Sequence, residues 1–168
     1  MNKFFIKRKI YPTFLASMKQ GVTIIELLVI FSIITVLFSI ISFKFLDMRE
    51  QQVLKNTVND VVSSVNKARS QTLSSLLSSS YGVHFETDKI IIFKGTVFSA
   101  GAGDNEVTEI ISPATISNVT LNGSSGTSGD FYFNRLDGVP SKTGTVTIST
   151  DSSSVVLTIS TTGSVSTN

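Results

Sequence analysis

Residues 21–29 of the sequence read Gly-Val-Thr-Ile-Ile-Glu-Leu-Leu-Val. This stretch joins a basic N-terminal tract to a long apolar run. Glu26 lies just inside that run, and the next charged residue along the chain is Lys44. An isolated charge at the centre of a bilayer costs about 2.5–3.5 kcal/mol on insertion scales. Because of this cost, a carboxylate within an apolar run is expected to have a function.

The residues before Gly21 are strongly basic. Five of the fourteen Lys and Arg residues fall there, and no Asp or Glu does. The nine basic and twelve acidic residues that follow give the rest of the chain a net charge of −3. We therefore interpret residues 1–21 as a leader whose positive charge stays in the cytoplasm. The body of the chain lacks the broad basic surface that is typical of a nucleic-acid-binding protein.

The apolar run is long enough to cross a membrane. Residues 27–43 carry no charge and are mostly Leu, Ile, Val and Phe. With the flanking apolar positions the run covers residues 22–46, which suffices for one transmembrane helix. Lys44 is expected to extend its ammonium group to the membrane interface. Because the basic residues precede the run, the sequence predicts a cytoplasmic N terminus and an extracytoplasmic C-terminal part.

The helix is predicted to continue beyond the membrane as an amphipathic half over residues 47–80. Residues 47–77 contain neither Gly nor Pro, and apolar residues recur there at intervals of three and four. The apolar stripe consists of Leu54, Val58, Val61, Val65, Ala68, Thr72 and Leu76, widened by Val62, Leu73 and Leu77. The pattern predicts one helix over residues 22–77, which ends in the Ser-rich segment that follows.

Residues 81–168 are rich in Ser, Thr, Gly and Val, which is typical of a β-domain. Residues 82–86 and 89–94 predict a hairpin, and residues 144–150 and 154–160 predict a second one. Weaker candidate strands lie at 107–111, 116–121, 131–133 and around Val165. The Gly/Ser segment 122–130 is predicted to be a flexible loop. Short connections favour an antiparallel sheet with one face on the helix, so the predicted fold class is α+β.

The sequence contains no recognisable catalytic or metal-binding constellation. There is no cysteine, which excludes disulfides, thiolate metal sites and cysteine nucleophiles. The single histidine, His84, falls in a predicted strand without a neighbouring ligand pattern. Asp104, Glu106 and Glu109 form a loose acidic group, but their spacing fits no known calcium loop, so we expect a solvated loop. We predict no enzymatic activity, no cofactor and no metal.

Residues 19–29 (KQGVTIIELLV) resemble the processing motif of type IV pilins and type II secretion pseudopilins. That motif is a basic leader, Gly, an apolar residue that is usually Phe, then Thr, Leu or Ile, Ile, Glu, Leu and Leu. The resemblance implies that prepilin peptidase cuts between Gly21 and Val22 and methylates the new amine of Val22. It also implies that Glu26 neutralises the amine of a neighbouring subunit during filament assembly. Val22 in place of Phe and a somewhat long leader are departures from the motif.

A second resemblance covers most of the remaining chain. Residues 67–71 (KARSQ) and the strand around residues 81–85 are similar to a pattern of the GspH/FimT-type minor pilins. The later segments FYFNRLDG, GTVTIST and VVLTIS are similar to the C-terminal half of the same pattern. The resemblance implies a minor pilin or pseudopilin in the inner membrane, with its C-terminal domain outside the cytoplasm. The implied partners are prepilin peptidase, other pilin subunits and an inner-membrane assembly platform.

Two other functions stay open at this point. One is an uncleaved single-span membrane protein that displays a β-rich binding domain outside the cytoplasm. The other is a minor pilin for DNA uptake, because some FimT-like proteins take up DNA through a basic C-terminal region. From Asp130 onward the basic residues are only Arg135 and Lys142, against Asp130, Asp137 and Asp151. So little positive charge argues against a nucleic-acid partner.

Overall fold

The computed structural model describes residues 21–167, without the side chains of Ser42, Phe43, Lys44 and Leu46. The predicted leader, residues 1–21, lies outside the described residues except for Gly21. The described chain divides into two units, of which the first ends at Ile40 and the second begins at Ile41. Helix α1 (Ile24–Leu73) is followed by a short 3₁₀ turn (Leu76–Ser78) and then by strands only. The strands are β1 (Tyr81–Phe85), β2 (Lys89–Lys94), β3 (Glu106–Glu109), β4 (Thr115–Leu121), β5 (Ser124–Gly126), β6 (Gly129–Tyr132), β7 (Gly144–Ser149), β8 (Ser154–Ile159) and β9 (Val165–Thr167).

In the first unit, the described residues form the apolar part of α1. The segment Ile24–Ile41 has a mean hydropathy of 2.8, and within residues 21–167 it alone is long and apolar enough to cross a membrane. Its hydroxyl side chains bond to the helix itself: Ser32, Thr35 and Ser39 each donate to a backbone carbonyl one turn earlier, at 2.8–2.9 Å. These polar groups therefore need no water, which suits a lipid environment.

In the second unit, the amphipathic part of α1 buries the predicted stripe. The side chains of Leu54, Val58, Val61, Val65, Ala68 and Thr72 are all buried. The prediction was wrong at the end of the stripe, where Leu73, Leu76 and Leu77 are exposed. The helix also begins at Ile24 and ends at Leu73, not at residues 22 and 77 as predicted.

The end of α1 is set by a contact with β1. The hydroxyl of Thr72 donates to the carbonyl of Ala68 and accepts the backbone N–H of Tyr81, both at 2.9 Å. The chain therefore has to reverse within a few residues, and it does so through the left-handed residues Ser75 and Leu77. No Gly or Pro marks this stop. Sequence rules for helix ends, which depend on those residues, placed the end of the helix too late.

Thr72→Val is expected to lower the free energy of unfolding by about 1–3 kcal/mol, because the buried N–H of Tyr81 would lose its acceptor. Thr72→Ser is the matched control, since it keeps the hydroxyl and removes one methyl group worth about 0.8 kcal/mol. Urea unfolding of the full chain in detergent, followed by tyrosine fluorescence, would measure both. An equal loss in the two variants would contradict the role of this hydrogen bond.

The β-domain contains two antiparallel sheets, where the sequence predicted one. The first has the strand order β3-β2-β1-β6, and the second has the order β5-β4-β7-β8-β9. The predicted hairpins β1–β2 and β7–β8 are confirmed. The single-sheet prediction was wrong because β6 pairs with β1, whereas the β7–β8 hairpin pairs with β4. The alternation of apolar and polar residues within a hairpin does not show which distant strand that hairpin pairs with.

The segment 122–130 is ordered by pairing, although the sequence predicted a flexible loop. Ser124–Gly126 forms β5, which pairs with β4, and β6 begins at Gly129. Asn122 and Gly123 both have positive φ, 48° and 81°, as a tight hairpin turn requires. The Asn-Gly dipeptide was the available signal for this hairpin.

Both sheets and α1 contribute to one hydrophobic core. The large buried side chains include Phe85, Phe131 and Phe133. The rings of Phe131 and Phe133 meet edge to face with centroids 5.3 Å apart, and Phe85 lies 6.1 Å from Phe131. Aliphatic side chains of α1, β4, β7 and β8 complete the same cluster. A helix on antiparallel sheets confirms the predicted α+β class.

Candidate processing and assembly site

Gly21 and Val22 lie in an exposed, irregular segment directly before α1. A Cβ atom added at Gly21 would meet no other heavy atom within 4 Å among the described residues. The fold around this position therefore does not require a glycine. The backbone between Gly21 and Val22 is open to solvent on the described chain. This is the geometry that a peptidase needs in order to reach a peptide bond.

Thr23 is the N-cap residue of α1, and Glu26 lies three residues after it. The hydroxyl of Thr23 accepts the backbone N–H of Glu26 at 3.3 Å, and the carbonyl of Thr23 accepts the N–H of Leu27 at 3.1 Å. The spacing Thr-x-x-Glu is the sequence signature of such a cap. The carboxylate also lies in the first helical turn, where negative charge interacts favourably with the helix dipole. Glu26 thus has a local role in addition to the predicted one.

The carboxylate of Glu26 is exposed and sits at the edge of the apolar segment. Among the side chains that the structure describes, no basic group forms an ion pair with it. A carboxylate in this position can form an ion pair with a cation of another chain. The cation that the sequence motif offers is the amine that cleavage would create at Val22, four residues earlier.

His84, the single histidine, packs against an aromatic side chain on the surface of the first sheet. Its ring stacks on Phe98, with centroids 3.8 Å apart and an interplanar angle of 7°. Its Nε2 lies 3.5 Å from a carboxylate oxygen of Glu86. Burial lowers the pKa of His84, although the carboxylates of Glu86 and Asp130 act in the opposite direction. These contacts assign His84 a packing role.

The acidic group of the β2–β3 region is divided by the fold. Glu106 begins β3 and forms an ion pair with Lys67 of α1, and it also accepts the side-chain amide of Gln71 at 3.1 Å. The hydrogen bond from Lys67 lowers the pKa of Glu106. Asp104 and Glu109 are exposed on either side. Within residues 21–167, no group of three or more His, Asp and Glu side chains is placed to hold a metal ion.

The contact of Glu106 with α1 was missed from the sequence. Lys67 and Gln71 are four residues apart and therefore lie on one face of the helix. That spacing indicates that both can reach the same partner, but it does not identify the partner. The contact fastens the edge strand β3 to α1, so we regard it as structural.

The C-terminal region lacks a basic surface. The ammonium group of Lys142 donates to the backbone carbonyl of Asp130 at 2.7 Å and lies 3.7 Å from its carboxylate. The strands β4, β5, β7, β8 and β9 contain no charged residue. The second sheet therefore offers no electrostatic footprint for a phosphate backbone.

Comparison with known proteins gives one family. The model of the family described as "Type II transport protein GspH" matches residues 57–163, which is more than half of the chain. The match begins in the amphipathic part of α1 and extends over strands β1 to β8 of the two sheets. Residues 21–29 lie outside it. No curated protein and no solved structure matches the chain.

Proposed function

The chain belongs to the GspH family of type II transport proteins, and on this basis we propose that it is made as a precursor, cut between Gly21 and Val22, and assembled into a filament through α1. The family is one of structural, non-enzymatic pseudopilins of type II secretion systems. Together with the apolar part of α1, it indicates a membrane-anchored protein. Family membership also implies association with other pseudopilins.

One observation carries the proposal. An exposed Gly21–Val22 junction, a carboxylate at the fifth residue of the new chain and an apolar helix precede a GspH-type domain in the sequence. Each feature alone has ordinary explanations, since apolar helices anchor many proteins. Their order and spacing match what a precursor would need if it is to be cut, held in the membrane and then joined to other copies.

The proposed assembly step is electrostatic. Cleavage would free the amine of Val22, and its methylation would keep the positive charge. Opposite unit charges 4 Å apart attract each other by about 4 kcal/mol at an effective dielectric constant of about 20. This attraction is comparable to the cost of about 2.5–3.5 kcal/mol for a lone charge in the bilayer centre. Glu26 of one chain and the amine of the next would therefore stabilise each other.

A second function is favoured by the position of Glu26 in the first turn of α1. Because a carboxylate there interacts favourably with the helix dipole, an uncleaved anchor with an ordinary helix start also accounts for Glu26. Such a protein would display the β-domain outside the cytoplasm as a binding module. Cleavage and the pairing of Glu26 with another chain distinguish the two functions, whereas the helix start is common to both.

Processing can be tested through assembly. We expect the chain to co-purify with an affinity-tagged major pseudopilin from chemically cross-linked, detergent-solubilised membranes. In cells that lack prepilin peptidase, the recovered amount should fall to background, because no amine is created at Val22. A total-membrane blot controls for expression. Equal recovery with and without the peptidase would contradict the proposed assembly.

A further inference from the structure

Strand β2 is buried on both of its faces. Ile90 and Ile92 belong to the hydrophobic core that α1 shares, whereas Ile91 and Phe93 are also buried but lie outside that cluster. Successive side chains of a strand point to opposite faces, so Ile91 and Phe93 face away from the shared core. An antiparallel sheet commonly exposes its second face to water. Another part of the chain must therefore cover this outer face of the first sheet.

Residues 96–104, which lie between β2 and β3, provide this cover, and we call them the cover segment. The ring of Phe98 meets Phe93 edge to face with centroids 5.6 Å apart and stacks on His84 of β1 with centroids 3.8 Å apart. The residues on either side of Phe98 are exposed. In the part of the chain that the structure describes, the hydrogen bonds of the cover segment reach no further than Asn105. The ring of Phe98 is therefore the contact that holds the cover segment on the sheet.

His84 is fixed to the sheet and not to the cover segment. It pairs in register with Ile91 of β2 and with Asp130 of β6. Its side chain is 14% exposed, and its Nδ1 is buried without a hydrogen-bond partner among the described residues. A neutral imidazole carries a proton on one nitrogen only, whereas the protonated ring has an N–H on both. Protonation beneath the cover segment would thus bury a donor that has no acceptor, which is unfavourable.

The charged groups that face His84 also belong to the sheet. A carboxylate oxygen of Glu86, directly after β1, lies 3.5 Å from Nε2. Burial lowers the pKa of His84 below its usual 6.5, while Glu86 and Asp130 of β6 raise it and Lys89 of β2 lowers it. The cover segment carries one charge, Asp104, which is exposed. Release of this segment would therefore reduce the burial and leave both carboxylates in place.

We propose that residues 96–104 are an acid-sensitive cover of the first sheet, and that protonation of His84 shifts them from the closed position towards release. The proton binds more tightly to the uncovered ring than to the covered one, so protonation and release favour each other by linkage. Because the pKa of His84 is lowered in the closed state, the closed contact is fully stable above the pKa of the uncovered ring. It weakens as the pH falls below that value.

Release would change the surface of the first sheet. Ile91 and Phe93 would lose their cover, and Val107, which pairs with Ile91 from β3, is already 52% exposed. Acid would thus enlarge an apolar area on this face. The switch lies within the second unit and does not depend on cleavage between Gly21 and Val22.

The imidazole signal in nuclear magnetic resonance tests the linkage, since His84 is the only histidine of the chain. The full chain is labelled with ¹³C-histidine and purified in detergent through a tag that contains no histidine. We expect the pKa of the wild-type imidazole to lie below 6.5. Phe98→Ala removes the covering ring and should raise this pKa by about half a pH unit or more, a roughly threefold change in the release equilibrium. Val97→Ala, at an exposed neighbouring position, is the matched control and should leave it unchanged.

A tryptophan at position 98 reports release directly, because the chain has no other tryptophan. In Phe98→Trp, quenching of the fluorescence by acrylamide should increase at least twofold from about pH 8 to about pH 5, the range in which histidine titrates. Adding His84→Phe keeps an aromatic ring beneath position 98 and removes the titration, so quenching should then be independent of pH.

Three results would overturn the proposal. The first is a wild-type pKa of His84 at or above 6.5, which needs no variant. The second is an equal pKa in the wild type and in a Phe98→Ala chain whose urea midpoint shows that it is folded. The third is quenching of Phe98→Trp that does not change with pH, or that changes equally when His84→Phe is present. If Phe98→Ala does not fold, the wild-type pKa and the tryptophan variant decide.

Discussion

Glu26→Ala is expected to be cleaved like the wild-type chain and to be lost from filaments. The variant keeps Gly21, Val22 and the apolar helix, so the peptidase site is unchanged. It removes the carboxylate that would pair with the amine of the next chain. Each 1.4 kcal/mol lowers an association constant tenfold, and the expected pair is worth more than that. Recovery with a tagged major pseudopilin should therefore fall by more than tenfold, at equal membrane levels.

Two further variants separate the charge of Glu26 from the N-cap at Thr23. Glu26→Gln removes the charge and keeps the backbone N–H that the Thr23 hydroxyl accepts. Thr23→Val removes the cap hydroxyl, at a cost of about 1 kcal/mol, and keeps the carboxylate. Charge pairing predicts that Glu26→Gln fails to assemble and that Thr23→Val assembles. The opposite result, assembly of Glu26→Gln at the wild-type level, would refute the proposed pair.

The helix and its buried stripe could be predicted because they depend on local periodicity. Leu54, Val58, Val61 and Val65 lie on one face by spacing alone, and a β-rich remainder must cover that face. The two hairpins could be predicted for the same reason, because in each of them a short turn joins two strands that follow each other in the sequence. These features require no knowledge of distant contacts.

The parts that could not be predicted depend on contacts between distant residues. The helix ends where Thr72 meets Tyr81, and the second sheet exists because β4 pairs with β7 across more than twenty residues. Glu106 meets Lys67 only after the β-domain has folded onto α1. The pattern of residues in a single sequence does not indicate which distant residues come into contact. The turn at Asn122-Gly123, by contrast, is indicated by its Asn-Gly dipeptide. The Gly and Ser content around it favoured the prediction of a flexible loop instead.

The candidate site was located from the sequence, and its local geometry came from the structure. Gly21, Val22 and Glu26 stay predictions as processing and assembly residues. The Thr23–Glu26 cap is a structural finding, although Thr-x-x-Glu is itself a sequence signature. It sharpens the experiment, because one amide substitution at Glu26 removes the charge and leaves the backbone N–H of the cap in place.

A variant that prevents cleavage between Gly21 and Val22 is expected to have the second large effect on assembly. A Cβ at Gly21 meets open space, so Gly21→Val should fold and insert into the membrane as the wild-type chain does. If prepilin peptidase requires glycine before the scissile bond, this variant keeps residues 1–21 and lacks a free amine at Val22. It should accumulate in the membrane and be absent from material recovered with a tagged major pseudopilin. Normal assembly of this variant with residues 1–21 retained would show that removal of the leader is not required for assembly.

The mass of the intact protein purified from membranes shows whether the chain is cut between Gly21 and Val22. A processed pseudopilin is expected to begin at Val22 and to carry one added methyl group on its amine, which N-terminal fragment spectra would locate. Gly21→Val provides the unprocessed reference in the same experiment. A wild-type chain that retains residues 1–21 would contradict the account and identify the protein as an uncleaved membrane anchor.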